Sequence, residues 1–184
     1  GVELDGWLGG LRTRGADGEL ARIEQQPGAL KDKKGKALKW RRLLGAWVAH
    51  VAAAACGLRL TSLLVGEDLS LRLAPVEPER ARGILRGWLE GYAAGLNAPL
   101  PVAPDTAIAW LSAGDEEKAA RAACETYEGG YQRTGEVEKS ASLARQYPDF
   151  AALTADGDFQ AWSQDLYQAL LQAEIEELKE GADA

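Results

Sequence analysis

Between Val2 and Val65 two runs of alternating residues are followed by a lysine-rich link, a long apolar helix pattern and a third strand pattern, and no other stretch narrows the possible folds so far. Val2, Leu4, Gly6 and Leu8 alternate with Glu3, Asp5, Trp7 and Gly9, the period of a strand with one buried face. A strand is therefore predicted over Val2–Arg12. Arg14-Gly15-Ala16-Asp17-Gly18 supplies turn chemistry, and a second strand is predicted over Glu19–Gln26 before Pro27-Gly28 ends it. Trp40, Leu43, Leu44, Trp47, Val48 and Val51 then recur at three- and four-residue steps. That spacing predicts one helix with a single apolar face, stopped by Gly57, after which Leu58–Val65 returns as a strand.

Past this core the pattern becomes mainly helical. Leu69–Leu73 reads as one more strand across Gly66-Glu67-Asp68, and Pro78 opens a helix whose apolar stripe is Ile84, Leu85, Trp88, Leu89, Tyr92 and Leu96. Pro99–Pro104 is an extended, stiff connector. Asp105, Asp115 and Asp158 are candidate N-caps for helices over Thr106–Ser112, Glu116–Tyr127 and Phe159 to about Lys179, with another helix over Glu136–Tyr147 that Pro148 breaks. Glu174, Glu176, Glu177 and Glu180 crowd the end of the last helix and oppose its dipole, which predicts fraying. The expected division is an α/β core over 1–104 and a helical extension over 105–184 packed on it.

Charge is unevenly placed. Lys31, Lys33, Lys34, Lys36, Lys39, Arg41 and Arg42 stand against Asp32 alone, a local +6 in a chain of net charge −7, so everything else carries −13. The mean charge therefore does not exclude phosphate binding at one place; the plainer reading of the run is a solvated link. A hydrophobic share of 46% and a charged share of 27% are ordinary for a globular protein and do not suggest disorder over the whole chain. Cys56 and Cys124 lack paired spacing and read as reduced core or near-core thiols, in keeping with a cytoplasmic protein. No signal peptide opens the chain, and Trp47–Ala55 is too short to span a bilayer, so no membrane partner is expected. The lack of methionine and a start inside a strand pattern suggest a fragment of something longer.

Most catalytic chemistries find no residues here. His50, the single histidine, lies in the apolar helix and reads as a packed structural residue, with no nucleophile elbow to serve. No phosphate-binding glycine motif opens a helix. Metal-dependent nucleases place an acid in one strand and a (D/E)-x-K triplet in the next, where two carboxylates hold Mg²⁺ and the lysine orients the attacking water. Gly6-Trp7-Leu8-Gly9-Gly10 stands where the acid belongs, and the triplet reads Glu24-Gln25-Gln26. Asp5 and Glu24 are the alternative metal pair, with Lys31 or Lys33 in place of the lysine.

The strand Leu4–Leu11 (LDGWLGGL), the run Trp40–His50 (WRRLLGAWVAH), the segments Gly95–Pro101 (GLNAPLP) and Ala107–Leu111 (AIAWL), and Tyr127–Glu136 (YEGGYQRTGE) together resemble the RecC C-terminal domain family. That domain belongs to the gamma subunit of exodeoxyribonuclease V, the RecBCD helicase–nuclease complex. The resemblance implies an α/β fold: a degenerate PD-(D/E)xK, restriction-endonuclease-like mixed sheet with flanking helices over 1–104 and a mainly helical C-terminal part. The upstream elements of the nuclease core would precede Gly1 and leave an open sheet edge. The missing acid falls on Gly9 and the missing lysine on Gln26, while Glu24 keeps its carboxylate, so no catalytic residue, metal or cofactor is expected. What the family implies is a non-catalytic module that helps split and guide duplex DNA ends and their separated single strands, and docks on the RecB and RecD subunits, during double-strand-break repair and recombination. Lys33, Lys34, Lys36, Lys39, Arg41 and Arg42 would touch phosphates without sequence preference. The alternatives are an active Mg²⁺ nuclease and a pure protein scaffold.

Overall fold

The structure, a computed structural model, describes residues 5–14, 19–130 and 133–178. The first strand is shorter than its alternation predicts: β1 runs over Leu11–Arg14, residues 5–10 are irregular, and Val2–Leu4 lie outside the described residues. Gly10 explains the late start. Its φ of 76° is a left-handed conformation that a regular ladder does not accommodate, and a Cβ there would meet the Ile23 carbonyl oxygen at 2.9 Å. β2 (Glu19–Gln25) pairs antiparallel with β1, Leu11 opposite Arg22; turn residues 15–18 lie outside the described residues.

A single helical turn at Trp40–Arg42 leads into α1 (Leu44–Ala55), and Gly57, at φ 83°, ends it. β3 (Leu60–Val65) then returns parallel to β2, with Arg22 opposite Ser62 and Glu24 opposite Leu64. β4 (Ser70–Leu73) pairs antiparallel with β3. Strand alternation puts Leu60, Ser62 and Leu64 on one face with Leu71 and Leu73, all exposed by 1% or less. α1 covers this face, and each leucine so buried contributes about 2 kcal/mol. The buried side of α1 is turned further toward its alanines than the spacing predicts: Ala46, Ala53 and Ala54 are buried with Trp47, His50 and Val51, and Val48 is exposed. Small side chains let the helix axis approach the sheet, which branched Val48 would prevent.

α2 (Pro78–Asn97) begins at the expected proline, and its first turns close a unit formed by Gly1–Leu85 with Ala173–Ala184. Arg86–Gln172 forms the second compact unit. There Trp88 donates from Nε1 to the Leu166 carbonyl at 3.1 Å, while Tyr92 and Leu96, placed in the apolar stripe by spacing, are 67% and 70% exposed. The contact edge is Gly91, where a Cβ would meet Leu166 Cδ2 at 3.0 Å. α3 (Pro104–Leu111) and α4 (Glu116–Glu128) follow, then the short ribbon of β5 (Gly129–Gly130) and β6 (Arg133–Thr134). The helix expected over Glu136–Tyr147 is instead a single turn at Val137–Lys139 and α5 (Ala141–Gln146), because Ser140 caps a new start by accepting from Leu143 N. α6 (Phe150–Thr154) comes next, and α7 (Asp158–Ser163) continues through a π-helical stretch, Gln164–Gln168, into α8 (Ala169–Leu171).

Two of the three expected caps are displaced. Asp115 caps α4 by accepting from Lys118 N at 2.9 Å, as predicted. Asp105 lies inside the first turn of α3, and the buried Glu136 carboxylate takes its place, accepting from Asp105 N, Thr106 N and Thr106 Oγ1 at 3.1, 2.8 and 2.9 Å. Asp158 is the first residue of α7, behind Gly157. Tyr127 and Phe159 centre the apolar core with Ala103, Ala123, Val137 and Leu153. Burial, together with the Glu136 and Asp149 carboxylates, pushes the Tyr127 hydroxyl up to about 12; it donates to the Tyr147 carbonyl at 2.6 Å.

The last helix ends at Leu171, well short of Lys179, and β7 (Ile175–Leu178) pairs antiparallel with β4. The acidic run suits a strand better than a helix C-terminus. Opposite it, Lys31 and Arg72 supply countercharges to Glu177 and Glu176 at 2.7 and 3.5 Å, where a helix dipole would repel them. The first unit is thus a mixed five-stranded sheet in the order β1-β2-β3-β4-β7 with α1 on one face. No described helix is long and apolar enough to cross a membrane.

Candidate nucleic-acid interface

The lysine-rich link is an ordered hairpin. Lys31 bridges Leu38, Asp32 N donates to the Ala37 carbonyl at 2.9 Å, and Lys39 N donates to Leu30 O at 2.8 Å. Two carboxylates hold its ends. At the tip Asp32 accepts from Lys34 N and Lys36 N at 3.1 and 2.8 Å, the pattern of a side chain closing a turn. At the base Asp68, from the β3–β4 turn, accepts from Leu30 N and Lys31 N at 2.6 and 2.9 Å. These backbone donors hold both carboxyls below their usual range, led by Lys36 N for Asp32 and by Leu30 N for Asp68. Leu30 is fully buried beneath the hairpin, and a Cβ on Gly66 would strike it at 2.6 Å.

The expected phosphate ligands differ in what they touch. Lys33, Lys34 and Lys36 are exposed at the tip, where the charge of Lys34 also helps hold the Asp32 carboxyl below its usual range. Lys39 Nζ donates to the Ala29 carbonyl at 3.1 Å and the Arg42 guanidinium to the Pro27 carbonyl, so both brace the hairpin from within. Lys31 is paired with Glu177, and Arg41 is exposed in the turn ahead of α1.

The second polar centre lies on the α1-covered face of the sheet. Register places Arg22 and Glu24 beside buried Ser62 and Leu64. Arg22 Nη1 meets Glu24 Oε2 at 2.6 Å as an opposite charge, off the line of a hydrogen bond, and Gln26 Nε2 donates to Oε1 at 2.7 Å. Arg22 Nε also donates to the Gly9 carbonyl at 3.2 Å. Gly9, Glu24 and Gln26 are therefore neighbours through Arg22, which the motif-based reading missed; its signal was a basic residue two positions before Glu24, on the same strand face. Asp5 is exposed in the irregular segment before β1. Among the described residues no three His, Cys, Asp or Glu side chains converge as metal ligands would.

His50 is a packed core histidine. Nε2 donates to the Ala74 carbonyl at 3.0 Å, so Nδ1 accepts from the Ser62 hydroxyl at 2.8 Å, and the ring stacks on Trp47 at 5.7 Å. Burial holds its pKa below the usual range, and the charge of Arg22 acts in the same direction against the Ala74 bond. Cys124 is partly buried, which raises its thiol pKa, but Cys56 is exposed just past α1 rather than in the core. An alanine-rich setting on both sides gave the two cysteines the same sequence signature.

Fold and surface together define a mixed α/β sheet domain that carries an anchored, cation-tipped hairpin on its crossover connection. Residues 1–115 match the RecC C-terminal domain family, and the chain belongs to it. The RecBCD enzyme subunit RecC of Escherichia coli (strain K12) is 30% identical over 112 residues, 60% of this chain and 9% of that relative. The chain thus spans a small part of the length of the curated relative it matches.

Proposed function

We propose that this domain is a non-catalytic, DNA-handling and subunit-docking part of a RecBCD-type enzyme, with a degenerate nuclease-like sheet at its centre. The observation that carries the reading is the hairpin: three exposed lysine side chains displayed on a backbone fixed by Asp32 and Asp68. Such a tip attracts a polyanion without reading sequence. The second polar centre supports the absence of catalysis. A divalent cation would need carboxylate oxygens, yet both oxygens of Glu24 face nitrogen donors, Gly9 has no side chain, and Gln26 carries no charge. This donor set does not suit Mg²⁺. The docking half rests on Tyr92 and Leu96, exposed beside an open apolar groove of about 440 Å³ that Trp88, Leu100 and Leu166 also line. RecB and RecD are the partners proposed for such surfaces.

Filter binding of labelled DNA tests the first half. Lys33→Glu/Lys34→Glu/Lys36→Glu is expected to lower affinity at least tenfold at low salt and to flatten the dependence of log K on log salt by roughly 2–3. Binding that ignores all three changes would make the hairpin a solvated link. Incubation with DNA and Mg²⁺ or Mn²⁺ tests the second half; cleavage that disappears in Glu24→Gln would assign a nuclease instead. For docking, capture by RecB and RecD homologues is expected to weaken in Tyr92→Ser/Leu96→Ser, and retention in full would exclude that face.

A further inference from the structure

Trp7 is fully exposed, more so than Tyr92 or Leu96. Its surroundings are open, since a Cβ added at Gly6 or at Gly9 would meet nothing within 4 Å. Yet the segment is tethered just beyond it. Gly9 O accepts from Arg22 Nε at 3.2 Å and Gly10 O from Ile23 N at 3.2 Å, close to where β2 ends at Gln25 and the chain leaves for the lysine hairpin. We propose that Trp7 is a base-stacking residue for single-stranded DNA whose phosphates lie on Lys33, Lys34 and Lys36. The inference rests on the DNA-handling reading and adds to it a residue that meets the bases.

Two observations favour a single strand. The amides of Lys34 and Lys36 are already engaged by the Asp32 carboxylate and that of Gly35 by the Asp32 carbonyl, so a phosphate at the tip meets chiefly ammonium groups. Point charges of this kind do not distinguish a duplex from a single strand. Discrimination must come from a group that meets a base face. In a duplex those faces are covered by neighbouring bases, whereas a single strand presents them to any flat, open aromatic ring. An indole on an accessible segment between glycines fits that task, and a footprint of about 4 nucleotides or more is expected.

The test measures anisotropy of a labelled oligothymidylate and of a duplex of equal length, each titrated with the 184-residue chain. Trp7→Ala is expected to weaken oligothymidylate binding about tenfold, the value of one stacked base, and duplex binding by less than about twofold. Trp7→Phe should retain most of the affinity, and the salt dependence should stay at its original slope because no charge is lost. Unchanged oligothymidylate affinity in Trp7→Ala, with the lysine charge reversals still weakening both ligands, overturns the stacking role and leaves the DNA reading standing. Equal losses on both ligands overturn it as well. Failure of the lysine reversals to weaken either ligand removes both readings together.

Discussion

The two polar centres of the first unit are built in opposite ways. In the hairpin the carboxylates of Asp32 and Asp68 accept chiefly from backbone N–H groups, and Lys33, Lys34 and Lys36 stay exposed. On the sheet the Glu24 carboxylate lies against Arg22 and Gln26, and its charge is matched inside the protein. The same side-chain chemistry thus leaves a cationic surface in one place and a closed pair in the other. What decides between them is whether an acid meets the backbone or a guanidinium.

If the sheet pair is structural, breaking half of it should damage folding and spare DNA. Glu24→Leu leaves Arg22 facing a covered sheet surface without its countercharge. The pair is partly exposed, at 15% and 24%, so the expected loss is about 2 kcal/mol, below the value for a fully buried ion pair. Urea unfolding measures it, and Arg22→Met/Glu24→Leu should recover most of the loss. DNA affinity should stay within about twofold throughout; a drop in the recovered double variant would mean that the sheet centre belongs to the binding surface.

The hairpin responds differently. Asp68→Ala removes the acceptor for Leu30 N and Lys31 N, so hydrogen exchange at these two amides should accelerate about tenfold or more, with DNA affinity falling a few-fold as the lysines lose their fixed arrangement. An unchanged exchange rate at both amides would show that buried Leu30 alone anchors the loop.

How much of this was legible follows from the range of the forces involved. Trp40 to Val51 marked α1, and Leu60 to Val65 marked β3, because periodic burial is written locally. The position of Glu24 on a strand was legible for the same reason. Its partner Arg22 was not, since the motif template assigned that face to a metal. Asp68 and Glu136 hold backbone donors 38 and 30 residues away, and no window of sequence displays such a partner. The acidic tail misled most: Glu174 to Glu177 looks like a poor helix end, but its pairing with β4 and its ion pairs to Lys31 and Arg72 are long-range. Tyr92 and Leu96 show the converse, where a good apolar stripe is displaced because Gly91 makes the closer contact.

His50 links the sheet centre to pH. Its folded pKa is lowered by burial, so below the unfolded value of about 6.5 the unfolded chain binds a proton that the native ring refuses. Stability is complete above that value and declines as pH falls from it toward the lower folded pKa. Thermal unfolding at pH 7.5 and 5.5 should show the wild-type midpoint falling by more than that of His50→Gln. Parallel shifts in the two proteins would place the acid sensitivity elsewhere.

The smallest effect tests the border between the two centres. Lys31 sits at the hairpin base, yet its ammonium is paired with Glu177 of β7 at 2.7 Å, where the partners are 22% and 51% exposed. A pair this exposed contributes about 0–1 kcal/mol, so Glu177→Gln should leave the unfolding midpoint nearly unchanged. Its consequence is electrostatic: with the carboxylate gone, Lys31 joins the exposed lysines and releases one more counterion when DNA binds. The slope of log K against log salt should steepen by about 0.7 for a single strand and about 0.9 for a duplex. Glu176→Gln, which frees Arg72 on the opposite face of the sheet, is the control and should leave the slope alone. If both variants steepen it equally, the gain comes from overall charge, and the hairpin holds no privileged place in the contact.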